Sequence, residues 1–323
     1  MVEQMPAGVF LGMNIYSYSI FLCLSIVAGL TVMLFCQKKR RLHKDTALRY
    51  GLWAIPLGIV FARLFYCFAR WDYVFNERGW TFLFSLWEGG FALYGALLGC
   101  LLAALILAKL SRVKAGDLLD CIAPGAALTI AVARFAEAFT SQGVGGLVET
   151  EALQQFPFAV QNMYGDWVLP VFFYEGVAAI LIGIIAYVIL SRKGIRPGDT
   201  ALMFLLLFGA AQVVLESLRQ DDYLRWGFVK VSQMASMGLV LIVSVLFGRR
   251  AVSQKKKLPM VAAGFVLLAL GVGACVLIEF ALDKSTIPNT YLYSAMTAIM
   301  ALMTGIALAF RKAGQSKSVG HSA

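Results

Sequence analysis

The stretch IAPGAALTIAVARFAEAFTSQGVG, Ile122 to Gly145, decides how the rest of the chain is read. It opens as an apolar helix, carries Arg134 near its far end and Glu137 three residues later, and then dissolves into polar and glycine residues. Residues three apart share a helical face, so Arg134 and Glu137 are neighbours. A guanidinium inside an apolar span is expensive, and it usually faces a bundle interior or a wet cavity, where it serves a purpose. Two structural alternatives stand beside a functional one. Arg134 could reach back to the headgroup layer, or the Arg134–Glu137 pair could serve helix association alone.

Working outward, the chain has 323 residues, of which 60% are hydrophobic and 14% charged. That composition excludes a soluble globular protein and points to an all-α integral membrane protein, a polytopic helical bundle. Nine spans of bilayer length are expected, at about 15–36, 48–69, 88–109, 118–139, 167–190, 200–218, 230–248, 258–281 and 290–310. Neither a soluble domain, an internal repeat nor a nucleic-acid signature is visible. The polar ribbon at about 140–166 is the longest connection, and its length predicts a small folded cap. The six cysteines lie mostly in apolar spans and read as small hydrophobes rather than disulfides or metal ligands. His43 and His321 both sit in basic segments, which excludes a histidine-based site within the membrane. The opening MVEQMPAGVF has no basic n-region, so a cleavable signal is not expected.

Lysine and arginine set the orientation. They crowd the connections after spans one, three, five, seven and nine: Lys38 to Arg49, Lys109 to Lys114, Arg192 to Arg196, Arg249 to Lys257, and Arg311 to Lys317. The other side holds only Arg70, Arg78, Arg219, Arg225, Lys230 and Lys284. The expected topology therefore has the N-terminus outside, the C-terminus cytosolic and the cap extracytoplasmic. The basic side could also attract anionic lipid headgroups.

Besides Arg134 and Glu137, the spans hold Arg63, Glu88, Glu175, Gln212, Glu216 and Arg219. Under this topology most lie toward the outer edge, with Glu88 opening span three and Arg219 closing span six. Gln212, Glu216 and Arg219 share one helical face. Polar groups at one depth on several helices predict a cavity open to the outer leaflet. The structural alternative is interhelical hydrogen bonding, worth about 1 kcal/mol per pair. In WEGGFALYGALLG (87–99) the glycines allow close approach of helices or of backbone to a ligand.

These residues resemble a family, the bacterial prolipoprotein diacylglyceryl transferases, from about Tyr18 to Arg250. SYSIF (17–21) resembles the family's W-Y-G start, and GIVFARLFY (58–66) its G-R-x-G-Y. WEGGFALYGALLG is similar to W-x-G-G-x-x-x-H-G-G-x-x-G, and AGDLLDCIAPGAAL (115–128) to the D-x-x-D/A-x-x-x-P-x-x-x-L approach to span four. ARFAEAFTSQGVG (133–145) aligns with G-R-x-G-N-F-x-N-x-E-x-x-G, LPVFFYEG (169–176) with H-P-x-Q-L-Y-E, VVLESLRQDD (213–222) with VEFFRQPD, and QMAS (233–236) with QILS.

The resemblance implies transfer of a diacylglyceryl group from phosphatidylglycerol, or another anionic glycerophospholipid, to the thiol of a lipobox cysteine in a secreted precursor. It implies a bacterial cytoplasmic (inner) membrane location, and no cofactor or metal. Arg134 matches the signature arginine that would stabilise the phosphate, as fixed guanidinium groups do well. Glu216, Tyr18, Arg63, Gly145 and Arg219 also fall on family positions. The chain departs from the pattern at Tyr94, where the family has His, at Glu137 (Asn), at Gln142 (Glu) and at Gln212 (Arg). A phenol of pKa about 10 is a weak base at neutral pH.

The expectation is a seven-span body over 1–250, with the cap at about 140–166 and two added spans over 251–323. Tyr94, Arg134 and Glu216 are the catalytic candidates. Tyr18, Arg63, Glu137, Gln142, Gly145, Gln212 and Arg219 are the substrate-binding candidates. Two alternatives stay open: a non-catalytic phospholipid-binding or accessory membrane protein on the same fold, and a transporter or channel.

Overall fold

A computed structural model describes residues 6–10, 13–220, 224–226, 229–252 and 257–315. The basic residues Lys255, Lys256 and Lys317, the histidine His321, Asp221 and Asp222 of the VVLESLRQDD match, and the segment Met1–Met5 lie outside the described residues. The protein is an all-α polytopic membrane protein. Among the described residues nine helices are long and apolar enough to cross a bilayer. They are α1 (Ser17–Lys39), α2 (Thr46–Ala69), α3 (Leu93–Leu110), α4 (Ala115–Ala136), α5 (Val171–Ser191), α6 (Asp199–Leu218), α7 (Val231–Val252), α8 (Leu258–Lys284) and α9 (Asn289–Gln315).

Among the described residues three antiparallel two-stranded ribbons accompany them. They pair β1 (Pro6–Phe10) with β2 (Met13–Tyr16), β3 (Val160–Gln161) with β4 (Trp167–Val168), and β5 (Arg225–Trp226) with β6 (Val229–Lys230). The chain forms two compact units. One holds Met1–Phe204 with Gln220–Leu224, and the other Leu205–Arg219 with Arg225–Ala323.

In the first unit, small residues allow backbones to touch. A Cβ on Gly29 of α1 would run into Thr129 Oγ1 and Gly125 O of α4, and one on Gly125 would meet Gly29 O. The Thr129 hydroxyl then donates to Ser25 O at 3.2 Å and to Gly125 O at 3.1 Å. With no hydrophobic drive between helices in lipid, such close contact and hydrogen bonding hold the pair. Gly95 and Gly99 likewise seat α3 against the Phe61 and Leu57 carbonyls of α2, which is the close helix approach expected of WEGGFALYGALLG.

At the opposite end of α4, Asp120 is fully buried. Its carboxylate takes Arg40 at 2.6 Å, and it accepts the Gly198 and Ala201 amides at 3.0 Å each. A carboxylate on the first amides of α6 satisfies donors that have no partner within the helix and complements its dipole.

Span three begins later than expected. Gly89 and Gly90 adopt φ of 75° and 78°, a conformation that ends helical geometry. Glu88 therefore does not open α3 but sits in the preceding loop, ion-paired with Arg78. That hydrogen bond, and then the carboxylate charge, raise the Arg78 guanidinium above its usual pKa.

Candidate functional site

Arg134 lies on the last turn of α4, which tightens into a 3₁₀ turn over Glu137–Phe139. Thr140 stops the helix, its amide and hydroxyl both donating to Glu137 O at 2.9 and 2.8 Å. The cap then returns the chain to α5. Val148 donates to Trp167 O at 2.8 Å, Gly145 to Leu169 O at 2.8 Å, Leu169 to Gly146 O at 3.0 Å and Phe172 to Gly143 O at 2.7 Å. This ladder seats the first turn of α5 beside the end of α4, and so delivers Glu175.

The outcome is a buried charged cluster. Arg134 Nη1 lies 2.5 Å from Glu137 Oε1, and Arg134 Nε lies 3.2 Å from Glu175 Oε2. The side chains are 12%, 10% and 1% exposed, so water screens them little. Gly143, at φ 73°, lies under this cluster, and a Cβ there would strike Glu137 Oε2 and Phe172. One guanidinium faces two carboxylates, an arrangement that stabilises Arg134 in place and opposes a third anion until one carboxylate moves away.

Arg63 is 2% exposed and enters a different arrangement. Nη1 donates to Gly89 O and to Gly90 O (3.2 Å), and Nη2 to Phe82 O and to Ser85 O (3.0 Å). Its guanidinium stacks 4.1 Å from the Phe82 ring. These contacts thread the 82–90 loop onto α2. Tyr94, on the first turn of α3, is buried at 6% exposure. Tyr18 is half-buried at the start of α1, Gln142 half-buried in the cap and Gly145 buried. A cavity of about 300 Å³ lies beside the loop, lined by Glu77, Arg78, Thr81, Phe82 and Glu88.

The remaining candidates belong to the second unit. Gln212 and Glu216 are 2% and 6% exposed, and Gln212 Nε2 donates to Glu216 Oε2 at 3.2 Å, as their spacing on α6 predicts. Arg219 follows the helix and is buried. Lys230, also buried, donates its ammonium to Glu216 O and Arg219 O, placing a cation at the helix C-terminus.

Two residues escape the sequence-derived site. Glu175 carried a signal, since it ends the quoted LPVFFYEG match, but no spacing rule links it to Arg134 on another helix. Glu279 of α8 carried one as a carboxylate inside the expected span 258–281, but nothing in the sequence links it to the α6 and α7 side chains among which it is buried.

Among the described residues, nine apolar helices and a helix-end cluster of one arginine with two buried glutamates define a polytopic membrane protein with a built-in charged site. The chain belongs to the prolipoprotein diacylglyceryl transferase family, whose sequence profile matches residues 6–249. It is 30% identical over 253 residues to the phosphatidylglycerol–prolipoprotein diacylglyceryl transferase of Listeria monocytogenes serotype 4b, a match covering 76% of this chain and 90% of that protein. It is 32% identical over 241 residues to the enzyme of the same name from Lactococcus lactis subsp. lactis, covering 72% and 89% of the two chains. The like-named enzyme of Halalkalibacterium halodurans is 29% identical over 238 residues, covering 72% and 81%.

Proposed function

We propose that this protein transfers the diacylglyceryl group of phosphatidylglycerol to the thiol of a lipobox cysteine in a secreted precursor. The family match across 6–249, with Arg134 on its signature stretch, is the observation that carries this. In the reaction the cysteine thiolate is the nucleophile. A C–S bond forms at the glyceryl carbon while its C–O bond to phosphorus-bound oxygen breaks. Glycerol phosphate leaves with that electron pair, and the thiol proton passes to a base.

Arg134 would hold the phosphate, displacing Glu137 or Glu175 from one edge of its guanidinium. Tyr94 would relay the proton or orient the thiol. Glu216, braced by Gln212 and with Arg219 one turn on, would position a partner group. Tyr18, Glu137, Gln142 and Gly145 would line the lipid. Arg63 would act through the 82–90 loop, since its hydrogen bonds go to carbonyls there. The setting would be the bacterial cytoplasmic membrane, with the N-terminus and the cap outside and the C-terminus in the cytosol.

The decisive experiment mixes purified protein with phosphatidylglycerol vesicles and a lipobox peptide. Lipidated peptide with equimolar glycerol phosphate is expected. Lipid binding without either product would identify a phospholipid-binding protein that has kept the fold and lost the chemistry.

A further inference from the structure

Helix α8 lies beyond the family match, which ends at residue 249. Yet Glu279, on its last turns and only 7% exposed, reaches family-matched side chains within the second unit. Glu279 Oε2 accepts from Ser217 Oγ of α6 at 2.9 Å and from Gln233 Nε2 of α7 at 3.0 Å. The same Nε2 also donates to Val213 O at 3.3 Å. A carboxylate can only accept, so Glu279, at the shorter distance, and the Val213 carbonyl together set which way the Gln233 amide faces. The nitrogen is taken, and Gln233 Oε1 is left buried with no hydrogen-bond partner among the described residues.

A buried orphan acceptor is costly, and a native structure holds one where it has a use. Ser217 adjoins Glu216, and Gln233 stands three residues after Lys230, whose ammonium caps the same helix end. The orphan oxygen therefore belongs to the end of α6 where the candidate Glu216 and Arg219 lie.

We propose that Glu279 is a positioning residue that turns Gln233 Oε1 toward a hydroxyl donor of the bound lipid's glycerol headgroup, making the added helix part of headgroup selection. This rests on the reading above only in taking a glycerophospholipid as the ligand, and it does not require transfer to occur. An electrostatic contact with a phosphate would leave the headgroup's hydroxyls unread. A fixed acceptor reads them, and the analogue lacking the hydroxyl leaves it unpaired.

The test compares binding of phosphatidylglycerol and of phosphatidylpropanol, whose headgroup has no hydroxyl, to the full-length protein in detergent. Wild type is expected to prefer phosphatidylglycerol at least tenfold. Glu279→Gln keeps shape and packing but offers an amide that lets Gln233 flip, so the preference should fall to about twofold or less with an unchanged melting temperature. Gln233→Leu should give the same loss. A purely structural Glu279 would leave the preference intact in Glu279→Gln, and that result overturns the proposal, as does a wild type that binds both lipids alike, the outcome expected if only water meets Oε1. Should Glu279→Gln fold poorly, Ser217→Ala, Gln233→Leu carries the comparison. The transfer assay is read in parallel. Selective binding without transfer defeats the enzymatic reading alone, and transfer without headgroup preference defeats this one alone.

Discussion

At the scale of single residues, Arg134 gathers the most chemistry. It is held by Glu137 at 2.5 Å and Glu175 at 3.2 Å. Arg134→Lys keeps the charge and loses the planar fork, so phosphatidylglycerol affinity should fall. Arg134→Ala should cost more, about 2–4 kcal/mol, because a desolvated charge is lost along with the fork. Calorimetric binding in detergent would check the order, and equal affinity in all three proteins would remove Arg134 from the lipid site. Glu137→Asn, which installs the residue the family pattern has there, should strengthen anionic lipid binding by about 1 kcal/mol through loss of a competing charge. Tyr94→Phe removes one buried hydroxyl. If that hydroxyl relays a proton or orients the thiol, transfer should drop at least tenfold, about 1.4 kcal/mol of barrier, with lipid affinity nearly unchanged. Parallel losses in both would assign Tyr94 to packing.

At the scale of elements, two buried charges act as fasteners. Arg63 gathers the carbonyls of Phe82, Ser85, Gly89 and Gly90, so Arg63→Leu strips several buried acceptors of their donor at once. A loss of roughly 3 kcal/mol is expected, with fast hydrogen exchange confined to the 82–90 loop. Uniformly faster exchange would mean that the loop is not the unit Arg63 secures. Asp120 performs the same task between α1, α4 and the first turn of α6. That an aspartate belonged near the start of span four was visible in AGDLLDCIAPGAAL. Its partners Arg40, Gly198 and Ala201 were not, because they lie 78 to 81 residues away in sequence and only folding brings them close.

At the scale of the whole molecule, charge placement and the packing of the added helices each carry a prediction. With native cysteines removed, Gln155→Cys and Gln254→Cys should label from opposite sides of the membrane, as the lysine and arginine alternation requires. Gln254 lies outside the described residues, so this expectation stands on the sequence. Labelling of Gln155→Cys from the cytosol alone would reverse the orientation. The helices α8 and α9 share a compact unit with α7 and most of α6. A stop after Lys257 therefore removes the Glu279 acceptor from Ser217 and Gln233, and the Phe265 and Phe310 rings from beside Gly248 of α7. The truncated chain should melt well below wild type. A melting temperature equal to that of the full chain would make the two helices an appendage.

The amino-acid sequence by itself determined the membrane class, the nine spans and the family. Each depends on local or cumulative properties: apolar length, charge placement and the order of short motifs. It also determined the Arg134–Glu137 and Gln212–Glu216 contacts, since helical spacing alone makes those residues neighbours. Only the tertiary structure decided that Glu175 completes the arginine cluster, that Arg63 spends its donors on a loop, that Glu88 precedes α3, and that Glu279 reaches back to Gln233. The first, second and last of these join segments distant in sequence, and Glu88 depends on two glycines at positive φ. Periodicity carries no information about which helix faces meet, because in a bilayer both lipid-facing and partner-facing surfaces are apolar.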